Sequence, residues 1–237
     1  NPIALLPGPD ALKIYPEYLT DPNICFCPSA ARSTPQDAKF ANTDISCFGV
    51  ISTDLNYCAG VTARTYCYLG WVFDKCDPED PQAAYSMPAP IGNVEGPEQL
   101  VQAVIKAILP AFANPNGNDP AQAVDKDVSD MPVSADTGEP LGNGASGTVY
   151  RLREGIERFM ITDINNPAAT ALAQSELWIM FDRLATEASE FNHVPGGCNV
   201  LYMDGHVQFV RYEQQGEAPV NGGIANVHVV NAVVDEE

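Results

Sequence analysis

The chain is poor in positive charge: 12 lysines and arginines stand against 31 aspartates and glutamates, a formal net charge of −19 over 237 residues. Such a field repels nucleic-acid phosphates and anionic lipid surfaces, so a nucleic-acid partner is excluded as an expectation. No apolar run approaches the roughly 18 residues that a bilayer-spanning helix needs. Signature motifs are also missing. The sequence holds no Gly-x-Ser-x-Gly elbow, phosphate loop or His-Glu-x-x-His helix, and so none of the usual catalytic frames for acyl transfer, phosphoryl transfer or zinc hydrolysis. No Cys-x-x-Cys pair occurs either, which argues against a zinc ribbon. The chain starts at Asn1 rather than at a methionine. We read this as a processed or truncated product whose leader or anchor lies outside it.

Apolar residues make up 45% of the chain, enough for a globular core, and 20 prolines with 18 glycines imply long irregular connections. Seven cysteines are present, six of them in the first third. Motif-free cysteines clustered in an acidic, loop-rich chain read as disulfides in an oxidising compartment, drawn from Cys25, Cys27, Cys47, Cys58, Cys67 and Cys76. Free buried thiols are the alternative. Cys25 and Cys27 are badly placed to bond each other, Cys47 and Cys58 would be cross-strand neighbours, and Cys198 is the odd thiol.

The pattern predicts an α+β fold in one domain spanning 1–237. A short helix and a strand ending at Pro28 open it, followed by two or three strands within 46–74, "YCYLGWVF" the most buried. Residues 78–90 read as loop. A helix follows between Pro97 and Pro110, with Leu100, Val101, Val104, Ile105 and Ile108 on its core face. Residues 113–147 form an acidic, glycine- and proline-rich surface excursion. Short helices near 152–160 and after Asn166 precede a central strand, "ELWIMFD".

In "FNHVPGGCNVLYMDGHVQFVRY", Asp204-Gly205 between apolar runs predicts a two-residue hairpin turn. That register puts Val200, Tyr202, Val207 and Phe209 on a core face, and Leu201, Met203, His206 and Gln208 on a mixed one. His193, Gly196, Gly197, Asp204 and Gly205 are then explained by hairpin chemistry. A metal or catalytic set of His193 with Asp204 or His206, or a Cys198–His193 thiol pair, lacks further ligands or an activating charge.

These residues also carry a resemblance. "REGIERFMITDINNPAA", "AQSELWIMFD" and the hairpin segment resemble the C-terminal region of prepilin-type, type II secretion pseudopilin-like proteins, which is marked by a histidine, about nine residues, then Asp-Gly. "IYPEYLTDPNICFCPS" is similar to the segment after their long N-terminal helix. Here ten residues, 194–203, separate His193 from Asp204, and the prepilin cleavage site and apolar N-terminal helix are absent. The resemblance implies a pilin-like antiparallel β-meander head outside the cytoplasmic membrane of a bacterium. Its contact with a membrane would come only through that missing helix, and it implies no catalysis.

Three functions compete. The first is a structural subunit that self-assembles into a filament or surface lattice. The second is a calcium-dependent surface- or ligand-binding module: Asp125, Asp127 and Asp130, with Asn114, Asn116, Asn118 and Asp119, offer hard oxygen ligands, and secretion-type pilin-like heads often bind calcium. The spacing fits no EF-hand. The third is an unrecognised hydrolase. The extension at 213–237 adds a further expectation: "GGIANVHVVNAVVDEE" reads as a terminal strand with Ala225, Val227, Val229 and Val233 on one face. It would pair within its own sheet or with the edge of a neighbouring subunit.

Overall fold

The computed structural model describes residues 8–9, 11–30, 33–39, 64–86, 93–107, 110, 125–160, 174–186, 191–194 and 196–232. They form helix α1 (Ala11–Ile14), strands β1 (Tyr66–Tyr68), β2 (Gln82–Ser86) and β3 (Asn93–Pro97), helix α2 (Glu98–Ala107), strands β4 (Trp178–Asp182), β5 (Gly197–Tyr202) and β6 (Val207–Arg211), and helix α3 (Gly222–Ala232). β1, β4, β5 and β6 make a four-stranded antiparallel sheet in that order, and β2 and β3 pair as a separate two-stranded sheet. The α+β expectation holds at this level. No helix among the described residues is long and apolar enough to cross a membrane.

Local signals place several elements. Pro97 ends β3, and its fixed φ and missing N–H suit the entry to α2, which runs to Ala107 ahead of Pro110. Leu100 and Val101 are buried to 2% exposure on its core face. The apolar run of β4 packs Trp178 in a stacked arrangement on Phe73 (5.7 Å between ring centroids) and edge-on to Phe181 (5.6 Å). These rings lie with Trp71, Leu100, Leu141, Val149, Val200, Val220 and Ile224 in one continuous core.

Several expectations are corrected. Residues 22–25 are a 3-10 turn, not a strand, because Asp21 caps it and Pro22 sits at its first position. Residues 78–90 are not all loop, since β2 crosses them and pairs with β3. The excursion at 113–147 is not purely surface. In its described part, Val128 bridges Val149 and Val133 bridges Pro140, which carries Val128, Met131 and Leu141 into the core. A buried polar network holds it there. Gln99 Nε2 donates to Asp74 Oδ1 (2.8 Å) and to the Leu141 carbonyl (3.0 Å), while its Oε1 accepts the backbone N–H of Asp74 and Lys75. Asn143 Nδ2 donates to Asp74 Oδ1 and to the Val72 carbonyl. Every polar atom of the Gln99 amide thus has a partner, as a fully buried amide requires.

The hairpin turn has three residues, not two. Leu201 pairs with Val207 and Val200 with Gln208, the Tyr202 N–H donates to the His206 carbonyl (3.0 Å), and Met203, Asp204 and Gly205 form the loop. Gly205, at φ 88°, takes the left-handed position that three-residue loops need. One residue of slip exchanges the faces of β6 relative to expectation. Cys198 and Val200 are fully buried, while Val207 and Phe209, expected in the core, are 61% and 53% exposed.

The tail is the largest correction. The segment read as an assembly strand is helix α3, containing Val227 and Val229; Val233 lies outside the described residues. Asn221 caps it, its Oδ1 accepting the Ile224 N–H (2.9 Å) while its Nδ2 donates to the Cys76 carbonyl (2.9 Å). Ile224 and Ala225 are fully buried. The helix backbone lies so close to β3 that a Cβ on Gly96 would stand 2.6 Å from Val227 Cγ2 and 2.7 Å from the Gly223 carbonyl oxygen. Strand preference spans only about 1 kcal/mol and depends on context, so this packing and capping override it.

The disulfide expectation is corrected as well. Cys25, Cys27 and Cys76 are buried thiols without a bridge, as is Cys198, while Cys47 and Cys58 lie outside the described residues. Cys67 and Cys76 pack in the main core among aromatic and aliphatic side chains, the role of small hydrophobes.

Candidate functional site

Register builds the site. Tyr66 of β1 pairs with Asp182 of β4, and Asn199 of β5 pairs with Phe209 of β6. Asn199 reaches Asp182 directly: its backbone N–H and its Nδ2 both donate to Asp182 Oδ2, at 2.7 and 2.9 Å. Paired residues share a sheet face, so Tyr66, Asp182, Asn199 and Phe209 form one row across the four strands. The next row, Cys67, Phe181 and Val200, faces the core.

Two irregular segments close over the middle of this row. The first is the turn at 22–27. The Asn23 N–H donates to the capping Asp21 carboxylate at 2.9 Å, and Cys25, Phe26 and Cys27 that follow are each 5% exposed. The second is the bend before β5. Phe191 packs edge-on to Tyr212 (5.2 Å), and Asn192 Nδ2 donates to the Thr65 carbonyl (2.7 Å). His193 is thereby aimed at the row, its ring edge-on to Phe209 at 6.0 Å.

Three polar groups converge on one ring nitrogen. His193 Nε2 lies 3.0 Å from Asp182 Oδ2, 3.4 Å from Cys27 Sγ and 3.0 Å from Asn199 Nδ2. The Cys27, Asp182 and His193 ligand atoms all lie within 4.8 Å of one another. Asp182 is 1% exposed, and among the described residues its ion-pair partner is His193. Burial pushes the Cys27 thiol up from its ordinary value, and the Asp182 charge adds to the shift. Tyr66 is raised to about 12, first by burial and then by Cys27 and Asp182.

This arrangement is not a nucleophilic triad. A Cys–His–Asp relay needs thiol and carboxylate on opposite ring nitrogens, so that the acid orients the base. Here both stand on Nε2, and the thiol is held protonated rather than activated.

Of the residues singled out from sequence, His193 enters this cluster, and so does Cys27, which was expected in a disulfide. Asp204 and His206 pair with each other at the hairpin tip, Nδ1 to Oδ1 at 2.5 Å, with His206 stacked on Tyr202 at 4.5 Å. Cys198 lies in the core, its Sγ turned to the Arg183 carbonyl at 3.9 Å. Gly196 precedes β5 and Gly197 is its first residue, paired with Arg211. Asp125 pairs with Arg151, and Asp127 accepts the Arg151 N–H (2.9 Å) and faces Arg153 Nη1 (3.3 Å). Asp130 is exposed at φ 57°. Among the described residues these three carboxylates do not converge; Asn114, Asn116, Asn118 and Asp119 lie outside them.

Sequence reasoning missed Asp182 and Asn199, and it read Cys27 as a disulfide candidate rather than as a neighbour of His193. Asp182 had a signal, a carboxylate closing an apolar central strand. Cys27, 166 residues from His193, had none. No protein-family model, curated protein or solved structure matches the chain.

Proposed function

We propose that the protein is a pilin-like structural subunit that acts outside the cytoplasmic membrane and assembles with copies of itself. The observation that carries this reading is β6, the edge strand of the four-stranded sheet among the described residues. Among the described residues β6 pairs only with β5, and its Val207 and Phe209 are 61% and 53% exposed, with Val194 nearby at 73%. An unpaired edge with apolar side chains is a template for strand addition, and monomeric proteins usually blunt such edges with charge or proline. The resemblance of the hairpin and β4 segments to prepilin-type proteins supports the same reading. The cysteines give it no support, because those at 25, 27, 76 and 198 are unbridged. The location therefore rests on the resemblance.

The test is light scattering with electron microscopy of the full chain. Wild type is expected to form filaments or lattices. Val207→Lys places a charge on the edge strand and is expected to leave folded monomers. Monodisperse wild-type monomers at every ionic strength would overturn the proposal, and the genomic sequence upstream of Asn1 checks the pilin-like assignment separately.

A further inference from the structure

Three metal-ligating atoms of different chemistry meet at one place on the outer face of the sheet: Cys27 Sγ, Asp182 Oδ2 and His193 Nε2 all lie within 4.8 Å of one another. They come from the segment at 22–27, from β4 and from the bend before β5. Without an ion, Nε2 is served by hydrogen-bond partners: protonated, it donates to Asp182 Oδ2 at 3.0 Å, and unprotonated, it accepts from the Asn199 amide or the Cys27 thiol. A cation can take the place of those protons, because a ring-nitrogen lone pair, a carboxylate oxygen and a sulfur can all point at it.

We propose that Cys27 Sγ, Asp182 Oδ2 and His193 Nε2 are ligands of a zinc-class divalent ion. The donor set selects the ion: one thiolate, one imidazole and one carboxylate suit zinc, whereas calcium and magnesium take oxygen. Spacing agrees. Ligands about 2.0–2.3 Å from a tetrahedral zinc stand roughly 3.3–3.8 Å apart; the His193 nitrogen is 3.0 and 3.4 Å from the other two ligand atoms, and all three lie within 4.8 Å of one another, so modest side-chain adjustment closes the site. His193 keeps 24% of its side chain in solvent, which leaves a way in and a fourth position for water. Asn199, bonded to Asp182 Oδ2 through both its nitrogens, orients the carboxylate ligand. The Cys27 proton leaves to solvent as the metal–sulfur bond forms, so binding releases one proton and tightens as pH rises. The ion would staple the segment at 22–27 to the outer face of the sheet, independently of any assembly at β6.

The experiment uses the full chain, freed of metal with a chelator and titrated with zinc alone, calcium alone and cobalt alone. One equivalent of zinc is expected to bind and to raise the thermal midpoint, while calcium leaves it unchanged. Cobalt is expected to give a thiolate-to-metal charge-transfer band that Cys27→Ser abolishes. His193→Gln should weaken zinc binding by at least about tenfold, whereas Cys25→Ser and His206→Gln, outside the ligand set, should not. Absence of zinc binding by wild type, or a charge-transfer band that survives in Cys27→Ser, overturns the proposal. Because the wild-type measurements need no variant to fold, they decide the matter even if a substitution destabilises the chain.

Discussion

The thiols show what burial does to single residues. Cys76 and Cys198 are raised well above the ordinary thiol value of 9.0, first by burial, and Cys25 and Cys27 are raised in the same direction. In the unfolded chain these thiols ionise near their ordinary value, while in the fold they keep their protons. Above about pH 9 the folded state therefore binds more protons than the unfolded state, and stability falls as pH rises. In metal-free protein the thermal midpoint should decline steadily from pH 9 to 11, and the decline should be shallower in Cys198→Ala. A midpoint that is flat or rising across that range would contradict the assignment of these groups as buried neutral thiols. Asp204 shows the opposite shift: bonds from His206 hold it below the ordinary carboxylate value, in an exposed loop where the effect stays local.

At the scale of elements, α3 and the two-stranded sheet stand or fall together. Asn221 supplies the cap of α3 and a buried bond to the Cys76 carbonyl. Asn221→Ala should cost about 2 kcal/mol, a midpoint loss of about 4–8 °C for a chain of this size. Deleting residues 222–237 should do more, because it removes the fully buried Ile224 and Ala225 and strips β3 of the helix that covers it. Loss of cooperative unfolding in the truncated chain is expected, and a truncated protein with the wild-type midpoint would show that α3 is dispensable. A donor strand would have behaved in the reverse way, leaving the fold intact and abolishing assembly.

At the scale of the molecule, charge governs association. A net charge of −19 makes copies repel, and the screening length shrinks from about 10 Å at 0.1 M salt to about 3 Å at 1 M. Assembly through β6 should therefore strengthen with salt, and its onset should move to lower protein concentration between 50 mM and 500 mM sodium chloride in light-scattering titrations. Arg211, at the end of β6, is one of only 12 basic residues. If salt weakens association instead, ion pairs rather than an apolar edge hold the copies together.

Some of this protein is legible in its sequence. α2 and β4 are, because their signals are local: prolines bracket the helix, and an apolar run of strand length defines the strand. The α+β class, the acidic character and a turn at Asp204-Gly205 follow in the same way. The register of that turn does not, since two- and three-residue loops fit the same dipeptide; contacts of the Met203 and Asp204 N–H groups with the carbonyls of Leu177 and Gln174 accompany the longer one. Nor does α3, whose valines favour a strand until Asn221 caps the segment and Gly96 admits it against β3. The cluster at His193 lies furthest from local reading. Its members come from a turn, a central strand and a bend, and hydrogen bonds to Asp182 and packing around Phe191 bring them within 4.8 Å. Periodicity and capping act over a few residues of chain and so can be read along it. A ligand set is a coincidence in space, created when separate segments bury their apolar surfaces against the same sheet.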